Sequence, residues 1–73
     1  MRVQEIATLR GMNLSQLQRA SGVTMPSVRR YWYNTKDGKS EGEPLRELDV
    51  AVLKSLARAL KVRVKDLFPD EDE

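Results

Sequence analysis

The sequence predicts a small all-α domain, and three features of the chain carry that prediction. Apolar residues recur at intervals of three and four in several segments, as they do on the buried face of an amphipathic helix. Residues that start or stop helices, namely asparagine, threonine, aspartate and glycine, stand between these segments. With 73 residues, the chain has room for a compact five-helix domain around one small core.

Helices one and two are predicted over residues 2–10 and 14–21. The apolar positions of helix one are Val3, Ile6, Ala7 and Leu9. Gly11 is a natural stop for helix one, and Asn13 is placed to cap helix two. Gly22 can end helix two because glycine readily adopts a positive φ. The inner side of helix two is expected to carry Leu14, Leu17 and either Ala20 or Ser21.

Helix three is predicted from Met25 to about Tyr33, and with helix two it forms a helix-turn-helix. Thr24 can cap helix three with its hydroxyl, and Pro26 is tolerated in the first turn, where amides have no intrahelical acceptor. The side chains expected between the crossed helices are Leu17, Val23, Val28 and Tyr31. The side chains left on the outer face are Met25, Pro26, Ser27, Arg29, Arg30 and Tyr33. An outer face with two arginines suits a DNA groove.

A long polar loop, residues 34–48, is predicted between helices three and four. It contains several turn-forming residues around Gly38. Connections of this length in a small domain are usually mobile or functional. We expect a mobile surface loop.

Helix four is the most regular predicted element, and Asp49 can cap it. Its inner stripe is Val52, Leu53, Leu56, Ala57 and Leu60, with Lys54, Arg58 and Lys61 facing water. A short fifth helix is predicted over residues 64–69, where Leu67 and Phe68 would close the core. The domain therefore spans residues 1–69.

Composition excludes several classes of protein. The chain has no cysteine and no histidine, so it lacks disulfides, thiolate metal sites and the commonest general base. Its isolated Asp and Glu residues form no recognisable catalytic constellation. We therefore expect no enzymatic activity, no metal and no cofactor. No apolar run approaches the roughly 20 residues of a membrane span, and no secretory signal is visible, so a cytoplasmic, nucleoid-associated protein is expected.

The charge of the chain is unevenly distributed. The formal net charge is +2, but residues 70–73 are all acidic. Residues 1–69 hold 13 basic and 7 acidic side chains, a net charge of +6. A cationic domain gains affinity for phosphates by releasing condensed counterions. The acidic tail is expected to be a solvated end, with masking of the basic face or contact with a partner as alternatives.

Two stretches of the sequence are similar to a known family. Residues 11–24, GMNLSQLQRASGVT, follow the family pattern Gly-Leu-(Ser/Thr)-(Gln/Leu)-x-x-Leu-Ala-x-x-x-Gly-Val-(Ser/Thr). Residues 56–62, LARALKV, and residues 65–68, KDLF, resemble the usual end of its members. Over nearly its whole length, the chain resembles the Cro and phage-repressor type helix-turn-helix family, also called the XRE family, a five-helix DNA-binding fold.

The resemblance implies that helix three is the recognition helix, with its N-terminal half toward base edges in the major groove. The implied base-reading residues are Met25, Pro26, Ser27 and Arg30. Arg30 is the strongest of them because a guanidinium can donate two hydrogen bonds to guanine O6 and N7. Contacts to phosphates are expected from Asn13, Ser15, Gln16, Thr24, Arg29, Tyr33, Lys36 and Lys39.

These assignments have plainer alternatives. Arg29 and Arg30 could be solvated helix charges, and Met25 and Pro26 could serve only to start helix three. Aromatic side chains can stack on unpaired bases, which offers a role to the run of residues 31–33. Within that run, Tyr31 fits the core better, Trp32 fits a position partly under the long loop, and the role of Tyr33 stays open.

Three departures from the family pattern affect the expected interface. Gln18 stands where alanine is usual, so the two helices cross more widely or the amide points outward. The loop over residues 34–48 is about ten residues longer than usual and could extend helix three, form a small wing on phosphates or build an interface. Helix one lacks the arginine that is common near Ala7.

The function these features indicate is a sequence-specific, double-stranded DNA-binding transcriptional regulator that acts as a repressor at an operator. One such domain contacts only a handful of base pairs, so we expect a weak homodimer or a dimer formed on DNA. The rival function is an antitoxin or adaptor-type protein-interaction module, because a fold does not determine a function. Steep salt dependence of DNA binding would separate the two.

Overall fold

The structure is a computed structural model that describes residues 1–69. Its elements are α1 (Val3–Leu9), α2 (Leu14–Ser21), α3 (Met25–Tyr33), α4 (Val50–Leu60) and a single 3₁₀ turn (Val64–Leu67). The predicted all-α class is confirmed, while the acidic tail over residues 70–73 lies outside the described residues. Across residues 1–69, no helix combines the length and apolarity that crossing a membrane requires.

The predicted fifth helix is wrong in type and length. The segment Val64–Leu67 forms one 3₁₀ turn, closed where the Arg63 backbone N–H donates to the Asp66 carboxylate over 2.9 Å. The chain leaves this turn at Phe68, which is extended at φ −103° and ψ 147°. Pro69 follows directly, and a proline disfavours helical dihedrals in the residue before it.

Each of the four α-helices and the 3₁₀ turn contributes buried apolar side chains to the core, and α2 contributes only Leu17. The members of the core are Val3, Ile6, Ala7, Leu17, Val28, Tyr31, Leu53, Leu56, Ala57, Leu60 and Leu67. The predicted inner stripe of α4 is confirmed, with Val52 half-buried at its edge. Of the two helices of the helix-turn-helix, α2 packs against α4, and α3 packs against α2 and α1.

Two apolar residues that the sequence analysis singled out are exposed: Leu9 of helix one, and Phe68, which was expected to close the core. Leu9 is 76% exposed, because each residue turns a helix by about 100° and Leu9 lies well away from the stripe of Val3, Ile6 and Ala7. Phe68 is 36% exposed, since the extended chain after the 3₁₀ turn carries it away from the fully buried Leu67. Of the two residues expected to close the core here, Leu67 does so and Phe68 does not.

Candidate nucleic-acid interface

The turn between α2 and α3 is closed by hydrogen bonds on both sides. Gly22 has φ +73°, and its N–H donates to the Gln18 carbonyl over 3.0 Å. The Gln18 side-chain amide donates to the Val23 carbonyl over 2.9 Å, and the Val23 N–H donates to the Ser21 hydroxyl over 3.2 Å. The departure at Gln18 therefore stabilises the turn, because its amide points into the turn and not outward.

Packing between α2 and α3 follows the predicted positions. Leu17 and Val28 are fully buried and Tyr31 is 3% exposed, while Val23 is half-buried against the core. At the end of α2, Ser21 is half-buried whereas its neighbour Ala20 is exposed. The serine therefore faces inward, which settles the alternative that the sequence left open.

A capping box formed by Asn13 and Gln16 starts α2. The sequence predicted the cap at Asn13 but not the return hydrogen bond with Gln16. The Asn13 side-chain oxygen accepts from the Gln16 N–H over 2.8 Å, and the Gln16 side-chain oxygen accepts from the Asn13 N–H over 2.8 Å. Both side chains use an oxygen in these bonds, so their NH₂ groups are the parts that could donate to a phosphate. Ser15 is exposed beside them. All three residues predicted to contact phosphates here lie together at one helix end.

Thr24 does not cap α3 in the predicted way. Its hydroxyl donates to the Ser27 hydroxyl over 3.3 Å and makes no hydrogen bond to a backbone N–H of α3. A capping hydroxyl normally accepts from the second or third amide of the helix, and here the second residue is Pro26, which has no N–H. The Ser27 hydroxyl also accepts from the Arg30 guanidinium over 3.0 Å. Thr24, Ser27 and Arg30 thus form one hydrogen-bonded chain along α3.

The two arginines of α3 have different surroundings. Arg30 is half-buried, and it borders an open groove together with Tyr31, Lys36 and the segment 45–49. Arg29 is exposed. The other predicted outer positions are an exposed Pro26 and half-buried Met25, Ser27 and Tyr33. The expected outer face therefore exists, although its most exposed side chains belong to Pro26 and Arg29.

Hydrogen bonds join residues within the long loop. Residues 35–44, called the hairpin loop below, are closed by an antiparallel bridge between Thr35 and Pro44. The Lys36 N–H donates to the Glu43 carbonyl over 2.8 Å. The buried Thr35 hydroxyl donates to the Lys39 carbonyl over 2.8 Å. α3 ends at Tyr33, so the loop does not extend that helix.

The hairpin loop folds back onto the outer face of α3. Gly38 is buried, and a Cβ built on it would lie 3.0 Å from the Arg29 Cβ. The same point would lie 3.6 Å from the backbone nitrogen of Arg30 and 3.6 Å from the Pro26 carbonyl oxygen. Gly38 also has φ +78°, a conformation that favours glycine. Sequence reasoning missed this contact, since a turn-forming glycine carries no signal of where its turn will pack.

The charges of the hairpin loop are mixed. The Lys36 ammonium lies 3.5 Å from the Glu43 carboxylate, and both side chains are exposed. The Asp37 carboxylate accepts from the Lys39 backbone N–H over 2.9 Å. Lys39 itself is exposed, as is Glu41. Of the two lysines predicted to contact phosphates, Lys36 already has an acidic neighbour.

The aromatic run at the end of α3 divides between the core and a surface groove. Tyr31 belongs to the core, as predicted. Trp32 is half-buried and borders a groove with Met1 and Gln4. It therefore lies beside α1 and not under the long loop, where the sequence analysis expected it. Tyr33 borders the same groove.

No cluster of three or more potential metal-ligating side chains occurs among residues 1–69. The features that do come together are two crossed helices, a tight glycine turn and arginines on the second helix, which is the geometry of a helix-turn-helix. The chain belongs to the Cro/C1-type helix-turn-helix DNA-binding domains, whose family model matches residues 2–73. No match was found among curated proteins or among solved structures.

Proposed function

We propose that this protein is a sequence-specific transcriptional repressor that binds an operator in double-stranded DNA. The observation that carries the proposal is the closed turn at Gly22, which holds α3 across α2 with Arg29 and Arg30 away from the core. In such motifs the second helix lies in the major groove. The proposed base-reading residues are Met25, Pro26, Ser27 and Arg30.

Contacts to the DNA backbone would set the position of α3 without reading sequence. The proposed phosphate contacts are Asn13, Ser15, Gln16, Thr24, Arg29, Tyr33, Lys36 and Lys39. The net charge of +6 over residues 1–69 supports this, because basic groups that neutralise phosphates release counterions. Binding should then weaken steeply as salt rises.

The repressor should act as a dimer, weak in solution or formed on the operator. One α3 of nine residues reaches only a few base pairs. Two copies on half-sites about 34–36 Å apart are the usual route to a specific affinity near 10⁻⁸ M. A two-fold symmetric operator is therefore expected.

Fluorescence anisotropy on a pool of duplexes with a random core, at two salt concentrations, tests the proposal. Bound DNA is recovered and sequenced. We expect an enriched, two-fold symmetric site and a steep loss of binding at the higher salt. Negligible binding at low salt with no enrichment would favour an antitoxin or adaptor that binds a protein instead.

A further inference from the structure

The Arg30 side chain is hydrogen-bonded to a residue of its own helix. Its guanidinium Nη2 donates to the Ser27 hydroxyl oxygen over 3.0 Å, and that oxygen also accepts from the Thr24 hydroxyl over 3.3 Å. Ser27 and Arg30 are both half-buried. Because they are three residues apart in a helix, their side chains lie on the same side of α3. The direction of the Arg30 side chain is therefore restricted before any DNA is bound.

Arg29 has no such support. The residue three positions before it is Pro26, whose side chain cannot form a hydrogen bond, and Arg29 is exposed. An arginine side chain has many rotamers, so a free one loses more conformational entropy when a ligand fixes it than one that is already held. Of the two arginines, Arg30 is therefore the better prepared for a contact of defined geometry.

The hydrogen bond to Ser27 leaves Arg30 able to bind a base. A guanidinium has five N–H groups, and a bidentate contact uses two parallel ones. Guanine presents two acceptors, O6 and N7, at its edge in the major groove. Among residues 1–69, the Arg30 guanidinium has no other hydrogen bond to the protein. One pair of parallel N–H groups thus remains for a single guanine.

The groove beside Arg30 offers competing partners for its charge. Glu47 and Asp49 line this groove together with Arg30. Carboxylates bind guanidinium groups strongly, yet none of the ion pairs found within residues 1–69 includes Arg30. The hydrogen bond to Ser27 therefore favours a position of the guanidinium along α3 over a position turned toward these carboxylates.

We propose that Ser27 is a positioning residue that directs the Arg30 guanidinium toward a guanine, so that the two residues read one base pair as a unit. This inference rests on the proposed function, since it takes double-stranded DNA as the partner. Base readout stays on α3, and Ser27 contributes to it through Arg30. The base that this unit recognises is guanine because both of the free N–H groups are donors.

The first test compares the DNA sites selected by the wild-type chain, by Arg30→Ala and by Ser27→Ala. Arg30→Ala should reduce the preference for guanine at one position of each half-site by roughly 5- to 150-fold. Ser27→Ala should reduce it at the same position by roughly 2- to 10-fold, the effect of releasing one side chain that was held in place. Ser27→Thr keeps a hydroxyl and should keep the preference. Ser55→Ala, at a half-buried serine of α4, is the matched control, and urea unfolding followed by Trp32 fluorescence checks that each variant folds.

A double variant that combines Ser27→Ala with Arg30→Ala separates a joint role from two independent ones. If Ser27 acts through Arg30, the double variant should show the same base preference as Arg30→Ala alone. A loss at a different base position in Ser27→Ala, or equal weakening on all sequences, would overturn the inference and leave the proposed function intact. A selected site without guanine at the position that Arg30→Ala affects would do the same. Failure of the wild-type chain to select any site would overturn both.

Discussion

The hydroxyl oxygen of Tyr31 accepts a hydrogen bond from the backbone N–H of Asp49, 2.8 Å away. Asp49 in turn caps α4, because its carboxylate accepts from the N–H groups of Ala51 and Val52. The buried Tyr31 side chain of α3 is therefore hydrogen-bonded to Asp49, the residue that caps α4. This hydrogen bond joins the end of the long loop to α3.

Tyr31→Phe should lower the free energy of unfolding by about 1 kcal/mol, because it removes this hydrogen bond and keeps the aromatic ring. In a domain of this size, that loss corresponds to a decrease in Tm of roughly 4–8 °C. Urea unfolding followed by Trp32 fluorescence measures the change. Tyr33→Phe is the matched control, and equal stability of the two variants would contradict the role given to Tyr31.

Asn13→Asp should separate capping from DNA binding. Aspartate caps a helix about as well as asparagine, so the free energy of unfolding should stay within about 0.5 kcal/mol of wild type. The added negative charge should repel a nearby phosphate, and DNA affinity should fall. Asn13→Ala should instead cost about 1 kcal/mol of stability. If Asn13→Asp bound DNA as tightly as wild type, the start of α2 would not lie near the phosphates.

Substitutions at Gly22 and Lys61, which both have positive φ, should change the stability of the domain in opposite directions. Gly22→Ala should destabilise the domain by roughly 1–2 kcal/mol, since φ is +73° and the space around Gly22 is open, so only backbone strain is added. Lys61 ends α4 at φ +61°. Lys61→Gly should therefore stabilise the domain by about 0.5–1 kcal/mol. Thermal unfolding measures both, and a shift of the same sign in the two variants would contradict this account.

The two arginines of α3 should differ in their effect on DNA binding. Arg29→Ala should weaken binding to all sequences similarly and reduce the slope of affinity against salt by about one ion. Arg30→Ala should cost roughly 1–3 kcal/mol on the selected site and relax base preference there. Anisotropy titrations on selected and scrambled duplexes measure these changes, with Lys54→Ala as control. Interchanged effects would assign base readout to Arg29.

Local signals in the sequence were sufficient for most of the fold. Helix ends are set by nearby capping residues, here Asn13 and Gly22 for α2 and Asp49 for α4. For this reason α2, α3 and the start of α4 were predicted at the observed residues. Apolar spacing predicted the core for the same reason.

The predictions failed where the conformation or hydrogen bonding of one residue depends on a second residue that the pattern did not take into account. Thr24 cannot cap the second amide of α3 because Pro26 occupies that position. Phe68 turns away from the core because Pro69 prevents the helix from continuing. The contact of Gly38 with α3 depends on how the whole loop folds, and no spacing rule in the sequence predicts such a contact. The helices that carry the candidate residues were thus predicted from the sequence, whereas the packing of the hairpin loop on α3 was not.

The most direct test of the central claim is the affinity for the selected duplex relative to a scrambled duplex, measured by anisotropy at a fixed salt concentration. A specific operator-binding protein typically prefers its site by roughly 10³-fold or more. We predict a preference of that order, with affinity for both duplexes falling as salt rises. Equal affinity for the two duplexes would contradict sequence-specific binding, and no binding to either would contradict a role at DNA.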